Sequence, residues 1–209
     1  EYAVVELVQG KDHREIEGLG YKDDNGKLIH NPDRNMIENL DVLPFPKLEL
    51  QLKDVKVPEE NFGVIATSRG CPFQCIFCAS PGIWKGGVRY RSIKNVMKEL
   101  RWRYENYGVK KFYFNDDNFN LNKERTFDLC NAIMEEGLNI DWICEGQIRT
   151  ITREILEVMK AAGCKRLKLG IESGNNRILK LMKKGTTKEQ IREKIKLIKE
   201  VDIDLTIYI

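Results

Sequence analysis

From Phe62 onward, short apolar runs alternate with stretches whose apolar residues recur at helical spacing. Phe62 to Ser68 predicts a strand. Ser92 is then an N-cap for a helix that gathers Ile93, Val96, Met97, Leu100, Tyr104 and Tyr107 near one face and stops at Gly108. Lys111 to Asn115 predicts a second strand, and Asn122 begins a helix that runs to about Glu136 and ends at Gly137. Ile140 to Glu145 is a third strand, with a helix from Thr152 to Ala162 closed by Gly163. Arg166 to Gly170 is a fourth. A short helical piece from about Asn176 leads to Gly185, after which Thr187 and Gln190 form a capping box for a helix to Val201. Leu205 to Ile209 starts a fifth strand. Repeated β-then-α units of this length require right-handed crossovers and a parallel sheet, and five of them point to an α/β partial barrel. Trp102 and Tyr104, at helical spacing, read as core rather than as a stacking platform for bases.

Residues 1 to about 60 do not continue this repeat. Asn25-Gly26 lies between β-like flanks, which predicts a hairpin over about 16–31. The run Asn39-Leu40-Asp41-Val42-Leu43-Pro44-Phe45-Pro46 predicts a stiff linker over 39–47, with apolar residues suited to dock on a neighbouring domain. Residues 61–209 are then the barrel, and Asp12-His13 is read as surface.

Composition narrows the class. With 42% hydrophobic and 32% charged residues the chain is of ordinary globular make-up, and no run approaches the roughly 18 apolar residues of a transmembrane segment. The net charge of +3 comes from interspersed residues and neither indicates nor refutes nucleic-acid binding; nucleic acid is not an expected partner. Lys180, Lys183 and Lys184 read as a solvated helix end. No secretory signal is visible, so a reducing cytoplasm is expected.

The chemistry concentrates in Ser68-Arg69-Gly70-Cys71-Pro72-Phe73-Gln74-Cys75-Ile76-Phe77-Cys78. An electron-transfer cluster usually has four cysteine ligands, so three thiolates suit a cubane iron–sulfur cluster with one iron left open. Zinc is the rival, but its usual layout is two separated ligand pairs, and His13 and His30 are distant in sequence. A disulfide framework is permitted by six cysteines, though a chain of this length has no need of one. Cys130, Cys144 and Cys164 have no short mutual spacing and read as buried packing.

C-x3-C-x2-C with Phe77 before the last cysteine resembles the signature of radical S-adenosylmethionine (SAM) enzymes. The resemblance implies a (β/α)6 partial barrel whose last unit is missing here, together with the element that contacts adenine. It implies a [4Fe-4S] cluster on Cys71, Cys75 and Cys78, with SAM on the open iron. A 5′-deoxyadenosyl radical, a small-molecule substrate and an external electron donor such as flavodoxin or ferredoxin are implied too.

In parallel α/β folds ligands sit at the carboxyl ends of strands, where this chain places its unusual polar residues. Asn115-Asp116-Asp117 stands where many radical SAM enzymes have a Gly-Gly-Glu run that holds the methionine ammonium, so Asp116 and Asp117 are candidates for it. Arg149 is a candidate for the methionine carboxylate. Glu172 is one for the ribose hydroxyls, with Ser173 beside it. The plainer alternatives are a capping Asp pair, a surface Arg, and a Glu paired with a lysine.

The hairpin and linker, Asp116-Asp117-Asn118-Phe119 and Gly170-Ile171-Glu172-Ser173-Gly174 resemble the cobalamin-binding branch of that superfamily. This implies a chain clipped at both ends, in which residues 1–60 follow a cobalamin domain. Its parent would be similar to methyltransferases or to oxidative cyclases of tetrapyrrole synthesis. A cobalamin-independent methylthiotransferase is a second reading, and a non-catalytic iron–sulfur or zinc module a third.

Overall fold

The computed structural model describes residues 1–47 and 63–209. These fall into two compact units, Glu1–Glu38 and Asn39–Ile209. The first contains a short helix, α1 (Tyr2–Val8), and a hairpin of β1 (Gly20–Lys22) and β2 (Leu28–His30), with Tyr21 opposite Ile29. The turn forms because the Asp23 carboxylate accepts from the amides of Asn25 and Lys27, while Gly26 takes the left-handed conformation there at φ +77°.

The second unit is built on a parallel sheet. Its strands are β3 (Val64–Ile65), β6 (Lys111–Phe114), β7 (Asp141–Gly146), β8 (Cys164–Gly170) and β9 (Asp204–Tyr208), in that spatial order. Between β3 and β6 come β4 (Ser68–Arg69), helix α2 (Ser80–Trp84), β5 (Arg89–Tyr90) and α3 (Ile93–Tyr107). The later crossovers are α4 (Lys123–Glu135), α5 (Arg153–Ala161), and α6 (Asn176–Leu181) with α7 (Lys188–Glu200). Strand order that follows chain order without reversal winds the sheet one way, as in a barrel. The predicted caps hold: Ser92, Asn122 and Thr152 each accept an amide from the first turn, and Thr187 with Gln190 makes the capping box.

Strand alternation sorts the side chains into two layers. Phe112, Phe114, Trp142, Cys144, Leu167 and Leu169 are buried in the core, whereas Tyr113, Ile143, Glu145 and Lys168, one residue out of phase, line the opposite face. The rings of Phe114, Phe119 and Trp142 meet in the core at centroid separations of 5.0 and 5.1 Å. Cys130, Cys144 and Cys164 are fully buried in this layer, as their packing role requires, and all six cysteines are free thiols.

Three expectations are adjusted. Phe62 lies outside the described residues, and the strand predicted through Ser68 is broken into β3 and β4, because Thr67 and Ser68 turn out of the sheet to bond elsewhere. Asn39 to Lys47 belongs to the larger unit. Phe45 packs there on Trp102 of α3 at 6.2 Å, beneath the cations of Arg91 and Lys98, so Trp102 is a half-buried docking surface rather than core. The boundary expected near residue 60 falls outside the described residues. Among those described, no helix is long and apolar enough to cross a membrane.

Candidate functional site

The cysteine loop leaves the sheet between β3 and β6 and is closed at its base by the antiparallel pairing of β4 with β5, Ser68 opposite Tyr90 and Arg69 opposite Arg89. Gly70, at φ +107°, begins the loop so close to the Gly87 carbonyl that an added Cβ would collide with it. The acidic run after β6 fastens the loop from below. Asp116 accepts from the Thr67 amide at 2.6 Å, the Thr67 hydroxyl at 2.5 Å and the Ser68 amide at 3.0 Å, and Asp117 accepts from the Gly70 amide at 2.9 Å. Asn118 donates to Cys71 Sγ at 3.0 Å, and the Ser80 amide faces Cys78 Sγ at 3.4 Å.

Asp116 is therefore placed differently from the ammonium acceptor expected of it. It is 2% exposed beneath the loop with its oxygens engaged, so it acts by holding the loop. Burial pushes its carboxyl up, and the bonds from Thr67 and Ser68 pull it back. Alanine at Asp116 strands two buried amides, and we expect it to destabilise the larger unit by about 2–4 kcal/mol in denaturant titration, with asparagine costing less. A loss below about 0.5 kcal/mol would contradict this role.

Cys71, Cys75, Phe77, Cys78, Asp117 and Glu172 line one cavity of about 230 Å³ at the carboxyl ends of the strands. Burial pushes the Cys71 thiol up, and Asp117 and Cys78 add to it, against bonds from Phe73 and Asn118. Among the described residues no three His, Cys, Asp or Glu side chains gather about one point closely enough for a single ion. A cubane distributes its ligands over different irons, so a spread of thiols around a cavity fits that donor set better than it fits tetrahedral zinc.

Lys184 also lines the cavity, which the sequence reading missed. The sequence sets it with Lys180 and Lys183 at a solvated helix end, yet it is 8% exposed. Lys183 takes a left-handed φ of +53° and the Lys184 amide bonds back to the Leu179 carbonyl at 3.0 Å, which swings the next side chain inward. Its ammonium is 3.1 Å from Glu172 and 5.8 Å from the Phe77 ring. Gly170 leaves the space this pair occupies, since a Cβ there would stand 3.1 Å from the Lys184 nitrogen. Glu172 is held at φ +67° with its amide on the Tyr208 carbonyl at 3.0 Å.

Arg149 and Ser173 do not line this cavity. The exposed Arg149 guanidinium stacks on Phe73 at 4.5 Å, and Ser173 Oγ accepts the Asn175 amide at 3.1 Å ahead of α6. On the inner strand face, Tyr113 donates to Glu145 at 2.6 Å, Tyr208 reaches the same oxygen at 3.3 Å, and Lys168 stands 3.7 Å away. Burial, then the bond to Glu145, pushes the Tyr113 phenol well up, so it remains a donor. Glu145 and Tyr208 line the cavity with the cysteines. The polar residue alternating with apolar ones in Phe112-Tyr113-Phe114 and Leu167-Lys168-Leu169 was the available signal for this face.

Comparison with known proteins gives this geometry a context. An uncharacterized methyltransferase of Pyrococcus horikoshii is 38% identical over 195 residues, covering 93% of this chain and 42% of that protein. An anaerobic magnesium-protoporphyrin IX monomethyl ester cyclase of Synechocystis is 31% identical, covering 96% of this chain and 40% of its own length. The chain thus spans about two fifths of the length of these curated relatives. Among solved structures, the cobalamin-dependent SAM radical enzyme OxsB superposes over 99% of this chain and 31% of its own, with TM-score 0.77 and 22% identity. The radical SAM methyltransferase TsrM of Kitasatospora setae covers 99% of this chain and 42% of its own, with TM-score 0.75 and 19% identity. These two show the fold to be the partial barrel of such enzymes. The pattern of the Radical SAM superfamily matches residues 65–209, from β3 to the last residue, and the chain belongs to that superfamily.

Proposed function

We propose that this chain is the cofactor-binding barrel of a radical SAM enzyme, with a [4Fe-4S] cluster on Cys71, Cys75 and Cys78 and SAM in the adjoining cavity. The observation that carries this reading is the shared lining: three thiols and an ion pair of buried Lys184 with half-buried Glu172 face one space. When bound, the cluster supplies the electron that cleaves the SAM sulfonium reductively. The chain's own residues bind, orient and screen.

Lys184 is suited to the methionine carboxylate, because a buried ammonium keeps most of its electrostatic strength. Glu172 offers acceptors to ribose hydroxyls or to the ammonium, and Asp117 lies across the cavity for the same purpose. Phe77 turns its ring toward the Lys184 ammonium. Arg149 and Ser173 are proposed as outer contacts, reached from the rim of the cysteine loop and from the turn before α6.

The whole protein is proposed to be a methyltransferase or a tetrapyrrole-cyclase type of oxidoreductase, on the strength of its relatives' names, and to depend on cobalamin, on its likeness in fold to OxsB. Residues 1–60 would then follow a cobalamin domain. It would act on a small molecule in the cytoplasm, where free thiols stay reduced, with an external electron donor such as flavodoxin or ferredoxin.

SAM affinity of the full-length, cluster-loaded protein, measured anaerobically by calorimetry, tests the cavity. Lys184→Met is expected to weaken binding by about 10- to 100-fold, as loss of a charge-assisted bond of about 1.5–3 kcal/mol requires. Lys183→Met is expected to leave it unchanged. Equal affinity in Lys184→Met and the unmodified protein would remove SAM from this cavity.

A further inference from the structure

One polar side chain at the cavity is left idle by the protein itself. Ser80 lines the cavity with Cys71 and Cys78 and is 6% exposed, and its hydroxyl oxygen is buried with no hydrogen-bond partner among the described residues. Buried hydroxyls are nearly always bonded, because one that is not has given up its water for nothing.

The ordinary uses of a serine at such a place are not taken up. Ser80 is the first residue of α2 and stands one position past the N-cap, Ala79, and no side chain caps that helix. A serine inside a helix can bond a carbonyl of the preceding turn, but Ser80 opens the first turn and has none behind it. Pro81, which follows, has no N–H to offer the oxygen. The Ser80 amide faces Cys78 Sγ at 3.4 Å, which holds the residue against the cysteine that ends the motif.

The three sulfurs differ in their surroundings. Cys71 Sγ accepts from the Asn118 side-chain nitrogen at 3.0 Å, and Cys78 Sγ has the Ser80 amide. Cys75 Sγ faces the Lys183 carbonyl at 3.8 Å, an acceptor that has no hydrogen to give a thiolate. Donors therefore stand beside Cys71 and Cys78, and Ser80 stands with them. The sulfurs of a cluster are acceptors, so a hydroxyl that meets one can only donate.

We infer that the Ser80 hydroxyl donates a hydrogen bond to a sulfur of the cluster and makes the cluster easier to reduce. The inference rests on the cluster reading proposed above. Reduction adds one electron to the cluster and takes one from an external one-electron reductant. The added negative charge strengthens a hydrogen bond to sulfur, so the donor favours the reduced state and raises the potential.

The test uses full-length protein reconstituted anaerobically, without SAM, and a reductive titration followed by electron paramagnetic resonance. Ser80→Ala is expected to keep its iron and to shift the reduction equilibrium about tenfold toward the oxidised cluster, a fall of about 59 mV for one electron. Ser80→Thr, which retains a hydroxyl, is expected to stay close to the unmodified protein. In the reduced cluster, the hyperfine coupling of one proton that exchanges in D2O is expected to vanish in Ser80→Ala and to persist in Ser80→Thr. An unchanged potential in Ser80→Ala at full iron content, or an exchangeable-proton signal that survives that substitution intact, overturns the hydrogen bond. An equal fall in Ser80→Thr overturns it too, because packing rather than the hydroxyl would be the cause. Unmodified protein that takes up no iron overturns the cluster reading beneath it instead.

Discussion

Alanine at any one of Cys71, Cys75 and Cys78 is expected to bring iron in the anaerobically reconstituted full-length protein from roughly four per chain to near background, with loss of the broad visible absorbance of a cubane. The thiols are the three cysteine donors in the cavity, and an open-iron cluster has no ligand to spare. Cys130→Ala is the internal comparison: its thiol is fully buried in the core and takes no part in the cavity, so iron loading should persist. Iron and sulfide assays on the four variants decide the matter. Retention of a full cluster by any of the first three would mean that the donor set is drawn from elsewhere.

Trp142→Ala is expected to cost about 3–5 kcal/mol of stability, the upper range for truncating a buried aromatic. Trp142 is 1% exposed, its ring meets both Phe114 and Phe119, and its indole nitrogen donates to the Ala162 carbonyl at 2.7 Å. Truncation removes all of these at once and leaves that carbonyl without its donor. For a chain of this size the loss corresponds to a fall in melting temperature of roughly 10 °C. A change of less than about 1 kcal/mol in urea titration would show that this aromatic group does not hold β6 and β7 to their helices.

The periodic elements were legible because their determinants are local. Ser92, Asn122 and Thr152 sit at helix starts and Gly108, Gly137 and Gly163 just beyond helix ends, and each acts within a few residues of itself. The cysteines were legible for the same reason. The role of Asp116 was not, since its partners Thr67 and Ser68 lie 49 and 48 residues away and only the pairing of β3 with β6 brings them within reach. The direction of Lys184 is not legible in the sequence because it depends on the left-handed turn at Lys183, a conformation that lysine rarely announces. Residues 81–90 contain most of α2 and all of β5, segments too short to show a period; β5 is fixed by its pairing with β4 across the loop base.

The fastening of the cysteine loop separates two events that small metal domains combine. The ladder of β4 with β5 and the bonds of Asp116 and Asp117 are made without any cysteine sulfur. In a zinc finger the metal's binding energy is the folding energy, and removing the metal unfolds the chain. Here the barrel supplies the frame, so oxidative destruction of a cluster would leave a folded scaffold with its loop still closed. Such a scaffold would keep its three thiols placed for a new cluster, and damage by air would then call for repair rather than for resynthesis.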